Sequence, residues 1–254
     1  MKICAYNVIM GCTNKCGFRC RHCLRGPARN ESMSEEVIEQ IFKVFDFSQT
    51  AITFGGGEIT LGLDVLESFV EKLTETGLNS FYVVSNGKTY KEKLVKLLDK
   101  LYYIADEKEL CGLAFSHDEF HEEFISKQDL MKNIDRYRWW EDEYYGECYE
   151  REYIDIHSKF TDFSITSIIN EGRAKKLYGY KKRELTEDPI VLSCYQDENL
   201  WIQEGMFYIN YNGDVFTVCD ASYETMSKRD KFFIGNIFDE DFIEKVKGIA
   251  IEEE

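Results

Sequence analysis

Proline is nearly absent: Pro27 and Pro189 are the only two in 254 residues. No proline-rich or low-complexity linker divides the chain, and no internal repeat is visible. Apolar runs long enough to span a bilayer are missing as well. The opening stretch MKICAYNVIMGC is too short and too weakly organised for a secretory signal, so a cytoplasmic protein is expected. Cations are in deficit, with 31 Lys and Arg against 47 Asp and Glu and a formal charge of −16. Binding to a phosphate backbone draws on cationic contacts, which sets nucleic acid aside as the principal partner; a basic peptide or a small molecule suits the field better. Solubility alone also accounts for such a charge. Nine cysteines cannot all pair, which argues against a disulfide framework. In a reducing compartment, clustered cysteines bind metal or do redox work.

What the sequence concentrates is sulfur. Residues 11 to 26 read GCTNKCGFRCRHCLRG and hold four of the nine cysteines. Cys16, Cys20 and Cys23 have the spacing C-x3-C-x2-C. Thiolates this close in sequence can converge on one soft metal centre, zinc or an iron–sulfur cluster. Three ligands with an open position suit a catalytic site, because a closed structural site takes four. Zinc would draw its fourth ligand from Cys12 or His22, so a non-catalytic zinc-binding protein stands beside the cluster reading at this point.

Around this run the apolar pattern alternates between strand and helix. Ile3 to Val8 reads as a first strand leading into the cysteine loop. Ser34 is placed to cap a helix from Glu35 to Phe45, where Val37, Ile38, Ile41, Phe42 and Phe45 recur at helical spacing. Ala51 to Phe54 is a short buried strand ending in Gly55-Gly56-Gly57-Glu58. A second helix follows, with Leu63, Leu66, Phe69, Val70 and Leu73 on one face and its close near Gly77. Phe81 to Val84, Leu110 to Phe115, Tyr153 to Ile156 and Phe163 to Ile169 read as further strands, with helices over Lys91 to Leu101 and His121 to Trp140. Alternation of this kind implies a parallel sheet wound in right-handed crossovers. The fold class expected is α/β: a partial (β/α)6 TIM-like barrel over residues 1-180, then a small C-terminal β-hairpin plus helix extension over 181-254. Ligands of such sheets sit at the carboxyl ends of the strands, where each glycine, serine, aspartate or cysteine cluster named here falls.

The cysteine run resembles the cluster-binding signature of the radical S-adenosylmethionine (radical SAM) enzymes, which carry an aromatic residue or histidine before the last cysteine, here His22. TFGGGEIT resembles the glycine–glycine–glutamate motif of the same family. The resemblance implies a [4Fe-4S] cluster held by Cys16, Cys20 and Cys23, with S-adenosylmethionine (SAM) chelated at the remaining iron. It implies contact of Gly56, Gly57 and Glu58 with the methionyl amino group; glycine admits close backbone approach and a carboxylate complements an ammonium. Ser85 and Asn86 after the third strand, and Ser116 and Asp118 after the fourth, match places where family members touch the carboxylate and ribose of SAM. Ile169 matches a strand end that packs on adenine, and Arg173 of Gly172-Arg173-Ala174 an arginine near the SAM site. The plainer readings are a tight turn for the glycines and for Asn86-Gly87, a helix cap for Asp118, and a surface position for Arg173. His121, on a first helical turn, reads as structural before chemical.

The activity so implied is reductive cleavage of SAM to methionine and a 5′-deoxyadenosyl radical that abstracts hydrogen from a substrate. The electron would come from a reductase or a flavodoxin or ferredoxin. A peptide is the expected substrate, a small molecule or nucleotide the alternative.

From Cys194 onward the pattern changes to short alternating strands, LWIQEGMFYINYNGDVFTVCD, with Asn212-Gly213 as a hairpin turn. This stretch and IGNIFDEDFIEKVKG resemble the C-terminal extension called SPASM or twitch, which in many relatives carries auxiliary iron–sulfur clusters. Only Cys194 and Cys219 lie in it. A cluster takes about four ligands, so two buried cysteines in a β-hairpin lid are expected instead. The acidic, tyrosine-rich segment EDEYYGECYERE at 141–152 reads as a solvated loop.

Overall fold

A computed structural model of the chain describes residues 1–141, 147–155, 168–185, 192–203, 205–229 and 232–252. Strands β1 (Ile3–Ala5) and β2 (Asn7–Thr13) precede the cysteine loop. Then α1 (Glu35–Val44), β3 (Ala51–Gly56), α2 (Leu63–Thr76), β4 (Ser80–Ser85), α3 (Glu92–Ile104), β5 (Gly112–Phe115) and α4 (Lys127–Arg138) alternate. Short strands follow: β6 (Trp139–Glu141), β7 (Cys148–Glu150), β8 (Ile154–Asp155), β9 (Ile168–Ile169) and β10 (Lys182–Arg183). The C-terminal part comprises β11 (Leu192–Gln196), β12 (Leu200–Ile202), β13 (Phe207–Ile209), β14 (Asp214–Phe216), α5 (Tyr223–Ser227), β15 (Phe233–Asn236), α6 (Phe242–Ile249) and β16 (Ala250–Glu252). Among the described residues no helix is long and apolar enough to cross a membrane.

The site is positioned by an eight-stranded sheet of order β15-β14-β13-β2-β3-β4-β5-β8, in which β2, β3, β4, β5 and β8 are mutually parallel. Period-two alternation sets its faces: Ile52 and Phe54 of β3 are fully buried, and Phe54 meets Phe69 of α2 with ring centroids 5.3 Å apart. Helix α1 starts where expected, because Ser34 Oγ accepts from the Val37 amide at 3.4 Å and Glu35 and Glu36 complement the dipole. The helices' apolar stripes close one face of the sheet.

Several expectations change in detail. The first strand is two: Ile3–Ala5 pairs with β12 in a second sheet of order β1-β12-β11-β16, and the main-sheet strand runs from Asn7 to Thr13. Tyr6, 77 % exposed, breaks the alternation between them. The fourth helix begins at Lys127 rather than His121, since Ser126 Oγ caps it by accepting from the Asp129 amide at 3.1 Å. Of the sixth predicted strand only Ile168 and Ile169 are described; they pair with Lys182 and Arg183 in a ribbon of their own. Residue 156 and residues 163–167 lie outside the described residues, as do 142–146 of the acidic segment, whose flanks β6 and β7 form an antiparallel ribbon.

The Asn212-Gly213 turn is present, with Gly213 at φ +83° joining β13 to β14. This hairpin does not lie over the sheet as a lid: β13 pairs parallel with β2, in register Phe207 to Val8, and so continues the main sheet. Phe207 is fully buried, and its ring sits 5.6 Å from that of Phe45 at the end of α1. The C-terminal segment is therefore expected to melt together with the preceding sheet. Phe207→Ala should cost about 3–5 kcal/mol and lower a single thermal transition; two separable transitions in calorimetry would contradict this.

Candidate active site

The cysteine loop leaves the carboxyl end of β2 and is stitched to the carboxyl end of β3. The Gly57 amide donates to Thr13 O at 2.6 Å and the Glu58 amide to Lys15 O at 2.8 Å. Two glycines permit this approach. Gly56 sits at φ +119°, and a Cβ on Gly56 or Gly57 would collide with the carbonyl oxygen of Thr13 or Lys15 respectively. The glycine run is thus a tight turn and also the contact that fixes the loop.

Cys16, Cys20 and Cys23 line a cavity of about 260 Å³ together with His22, Gly56, Gly57, Glu58, Ser85, Asn86, Ser116 and His121. An adjoining compartment of about 50 Å³ shares the three cysteines and is closed by Asn14, Arg25, Arg173 and Tyr223. A larger space of about 650 Å³ opens at the opposite, amino ends of the strands, near Asn7, Ala51 and Ser80, far from any thiol of the loop. The three thiols line only the two compartments at the carboxyl ends.

Burial raises the Cys16 thiol, whose sulfur accepts from the Phe18 amide at 3.4 Å. Burial and then the neighbouring Cys23 and Cys16 push Cys20 up to about 12. Thiols raised in this way would ionise once a cationic centre replaced their protons. The donor atoms that close to within 4.8 Å of one another among the described residues are those of His22, Asp118 and His121; the cysteine trio is not such a group. On a single zinc, with Zn–S of about 2.3 Å, three sulfurs would lie about 3.8 Å apart. The trio is not gathered to the spacing a single zinc needs, and Cys12, buried within β2, lines neither compartment. Asn14 Oδ1 is buried without a hydrogen-bond partner at the wall of the smaller compartment, an acceptor left for a ligand.

Glu58 is buried, and its carboxylate is already engaged. Oε1 accepts from the Thr60 amide at 3.1 Å, Thr60 Oγ1 at 2.8 Å and Ser85 Oγ at 2.8 Å, while Oε2 accepts from the Asn86 amide at 2.8 Å. It ties the ends of β3 and β4 together. Asp118 departs from expectation: it does not line the cavity. Its Oδ1 accepts from the amides of Phe120 and His121 and meets His121 Nδ1 at 2.8 Å, and Oδ2 faces His22 Nε2 at 3.3 Å. Burial works to raise its carboxyl, but His121 and His22 outweigh burial and lower it to about 2. Burial lowers the His22 imidazole, which stacks on Phe120 at 4.5 Å with Nδ1 buried and unpartnered. Ile169 also lies off the cavity, because β9 is paired away with β10. Arg173 reaches the cysteine loop, donating from its amide to Cys23 O at 2.9 Å and from Nη1 to Cys20 O at 3.4 Å.

Asn14, Arg25 and Tyr223 were not singled out in the sequence. Asn14 stood inside the cysteine motif; Tyr223 comes from the distant α5, where its amide donates to Arg25 O at 3.1 Å, and nothing local marked it.

The sequence profile of the Radical SAM superfamily matches residues 10–142, just over half of the chain. The chain belongs to the radical SAM superfamily. Radical SAM enzymes bind a [4Fe-4S] cluster and SAM, and the thiol set at the end of β2 has the donor chemistry for that cluster. No curated protein matches the sequence. Solved structures share the fold, two of them with a bound peptide. One is native anSMEcpe with bound AdoMet and Cp18Cys peptide, at TM-score 0.53 and 14 % identity over 97 % of this chain and 80 % of that one. The other is Streptococcus suis SuiB bound to precursor peptide SuiA, at TM-score 0.53 and 12 % identity over 95 % of this chain; the chain spans only 64 % of the SuiB chain.

Two substitutions test this arrangement. Gly57→Ala should displace the loop and leave the purified protein with less than half the iron of the parent after anaerobic reconstitution, measured by metal analysis. Glu58→Ala strands four donors and should cost at least about 3 kcal/mol in denaturant unfolding.

Proposed function

We propose that this radical SAM enzyme modifies a peptide. The observation carrying the assignment is the convergence on one cavity of the three thiols, the Gly56-Gly57-Glu58 end of β3 and the Ser85-Asn86 end of β4. When bound, the cluster and SAM would supply the chemistry, the reductive cleavage of SAM that makes hydrogen abstraction from a substrate possible. Cys16, Cys20 and Cys23 would hold the cluster. Gly56 and Gly57 offer side-chain-free backbone to the methionyl ammonium, and Glu58 contributes a buried negative field rather than a free oxygen. Ser85 is spent on Glu58 and on the Gly87 amide, which donates to its Oγ at 3.1 Å. The donors left to meet the carboxylate and ribose are therefore the Asn86 side-chain amide and the Ser116 hydroxyl. His22, held by Asp118 and stacked on Phe120, walls the site beside the cysteines. Arg173 fixes the loop carbonyls.

Support for a peptide comes from the bound peptides of anSMEcpe and SuiB. Residues 181–254 are assigned the role of a shortened SPASM/twitch-like extension, which closes the smaller compartment through Tyr223. Cys194 lies in the second sheet and Cys219 beyond β14 of the main sheet, an arrangement suited to two separate thiols rather than an auxiliary cluster.

Anaerobic reconstitution should yield about four iron per chain and reductant-dependent formation of methionine and 5′-deoxyadenosine. Alanine at Cys16, Cys20 or Cys23 should abolish both. A colourless protein with stoichiometric zinc would overturn the enzyme assignment. With deuterated candidates, label should pass from a peptide into 5′-deoxyadenosine; label from nucleosides or small metabolites alone would overturn the peptide.

A further inference from the structure

We infer that the surface around the cysteine loop docks an acidic one-electron donor protein. The inference rests on the radical SAM assignment, because a cluster has to be reduced there. It starts from a charge asymmetry that the net value of −16 conceals. Eleven of the 31 Lys and Arg fall in two short segments, 15–29 and 172–183, and neither segment contains an Asp or Glu. Well over a hundred residues apart in sequence, the segments meet in the fold. Arg173 donates to the carbonyls of Cys23 and Cys20, and a Cβ on Gly172 would collide with Leu24 O. Tyr180 packs on Phe120 at 5.3 Å, and the Arg21 guanidinium lies 5.2 Å from the same ring.

Some of these cations are neutralised locally: Arg21 by Glu123, Lys175 by Glu171, Arg183 by Asp220. Arg19, Arg29, Lys176 and Lys181 are exposed and make no ion pair among the described residues. Tyr178, 92 % exposed, stands between Lys176 and Lys181. Exposed tyrosine and arginine are enriched at protein interfaces, and the two lysines add to the local positive field.

Charge complementarity selects the occupant. An acidic partner is repelled by the rest of this acidic surface and attracted here, which gives orientation as well as rate. Arg19 and Arg21 are exposed on either side of buried Cys20, so a partner seated on them lies against the loop without entering the cavity. An electron needs only that proximity, whereas a substrate has to pass inside. The step balances: the donor loses one electron, the cluster gains it, and no proton or group moves.

Zero-length carbodiimide cross-linking of a bacterial flavodoxin to the full chain, with and without cluster, should join flavodoxin carboxylates to Lys175, Lys176, Lys181 and Lys182 in peptide mass maps. Reduction of the reconstituted cluster by flavodoxin hydroquinone should slow roughly tenfold or more between low salt and about 0.5 M salt. Arg19→Glu/Lys176→Glu/Lys181→Glu should slow it comparably at low salt, and the milder glutamine triple variant less, with iron content and reduction by photoexcited deazaflavin unchanged. Cross-links confined to other lysines or formed between two copies of the chain would overturn the inference. So would a flavodoxin rate indifferent to salt and to both variants, or loss of binding to an acidic peptide with that rate intact. A chain that takes up no cluster fails the enzyme assignment instead, and iron analysis reveals this before any donor is added.

Discussion

The contact between the cysteine loop and the end of β3 governs the site. Two backbone amides, of Gly57 and Glu58, donate to two loop carbonyls, of Thr13 and Lys15. Hydrogen bonds this short between neighbouring segments leave no room for a Cβ, so glycine is required by sterics before any ligand is considered. Once made, the contact brings three thiols and the ends of two further strands to one cavity. Glu58 then locks the second of those ends, spending its oxygens on Thr60, Ser85 and Asn86. A buried carboxylate is tolerated there because each oxygen has hydrogen-bond donors.

The electrostatics of the chain work at two scales. The acidic total of −16 sets a long-range field. The cysteine loop and the segment that packs on it carry the opposite sign, concentrated where a redox cofactor would be held. Local charge, not the sum, decides which partner is drawn to which face. The same holds within the site, where Asp118 is bound between His22 and His121 and so is withdrawn from the cavity that its place in sequence suggested.

The C-terminal segment is joined to the rest by sheet continuity. β13 completes the free side of β2, and edge strands left unpaired are a liability in any sheet. The same segment returns Tyr223 to the cysteines, so the wall of the smaller compartment is assembled from both ends of the chain.

Local chemistry was legible in the sequence. The alternation of strand and helix, the Ser34 cap, the Asn212-Gly213 turn and the placement of cysteine and glycine clusters after strands all follow from periodicity and turn chemistry, which act over a few residues. Pairing across distance was not legible. The division of Ile3 to Thr13 between two sheets, the capture of Asp118 by two imidazoles, the pairing of β9 with β10 and the arrival of Tyr223 depend on residues far apart in sequence, and no local pattern encodes which will meet. The sequence by itself determined the superfamily and offered the three thiols of its C-x3-C-x2-C run as donors, because such a run carries its chemistry in its spacing. The tertiary structure decided which polar groups stay free for a ligand and where the cations gather, because both depend on what packing has already consumed.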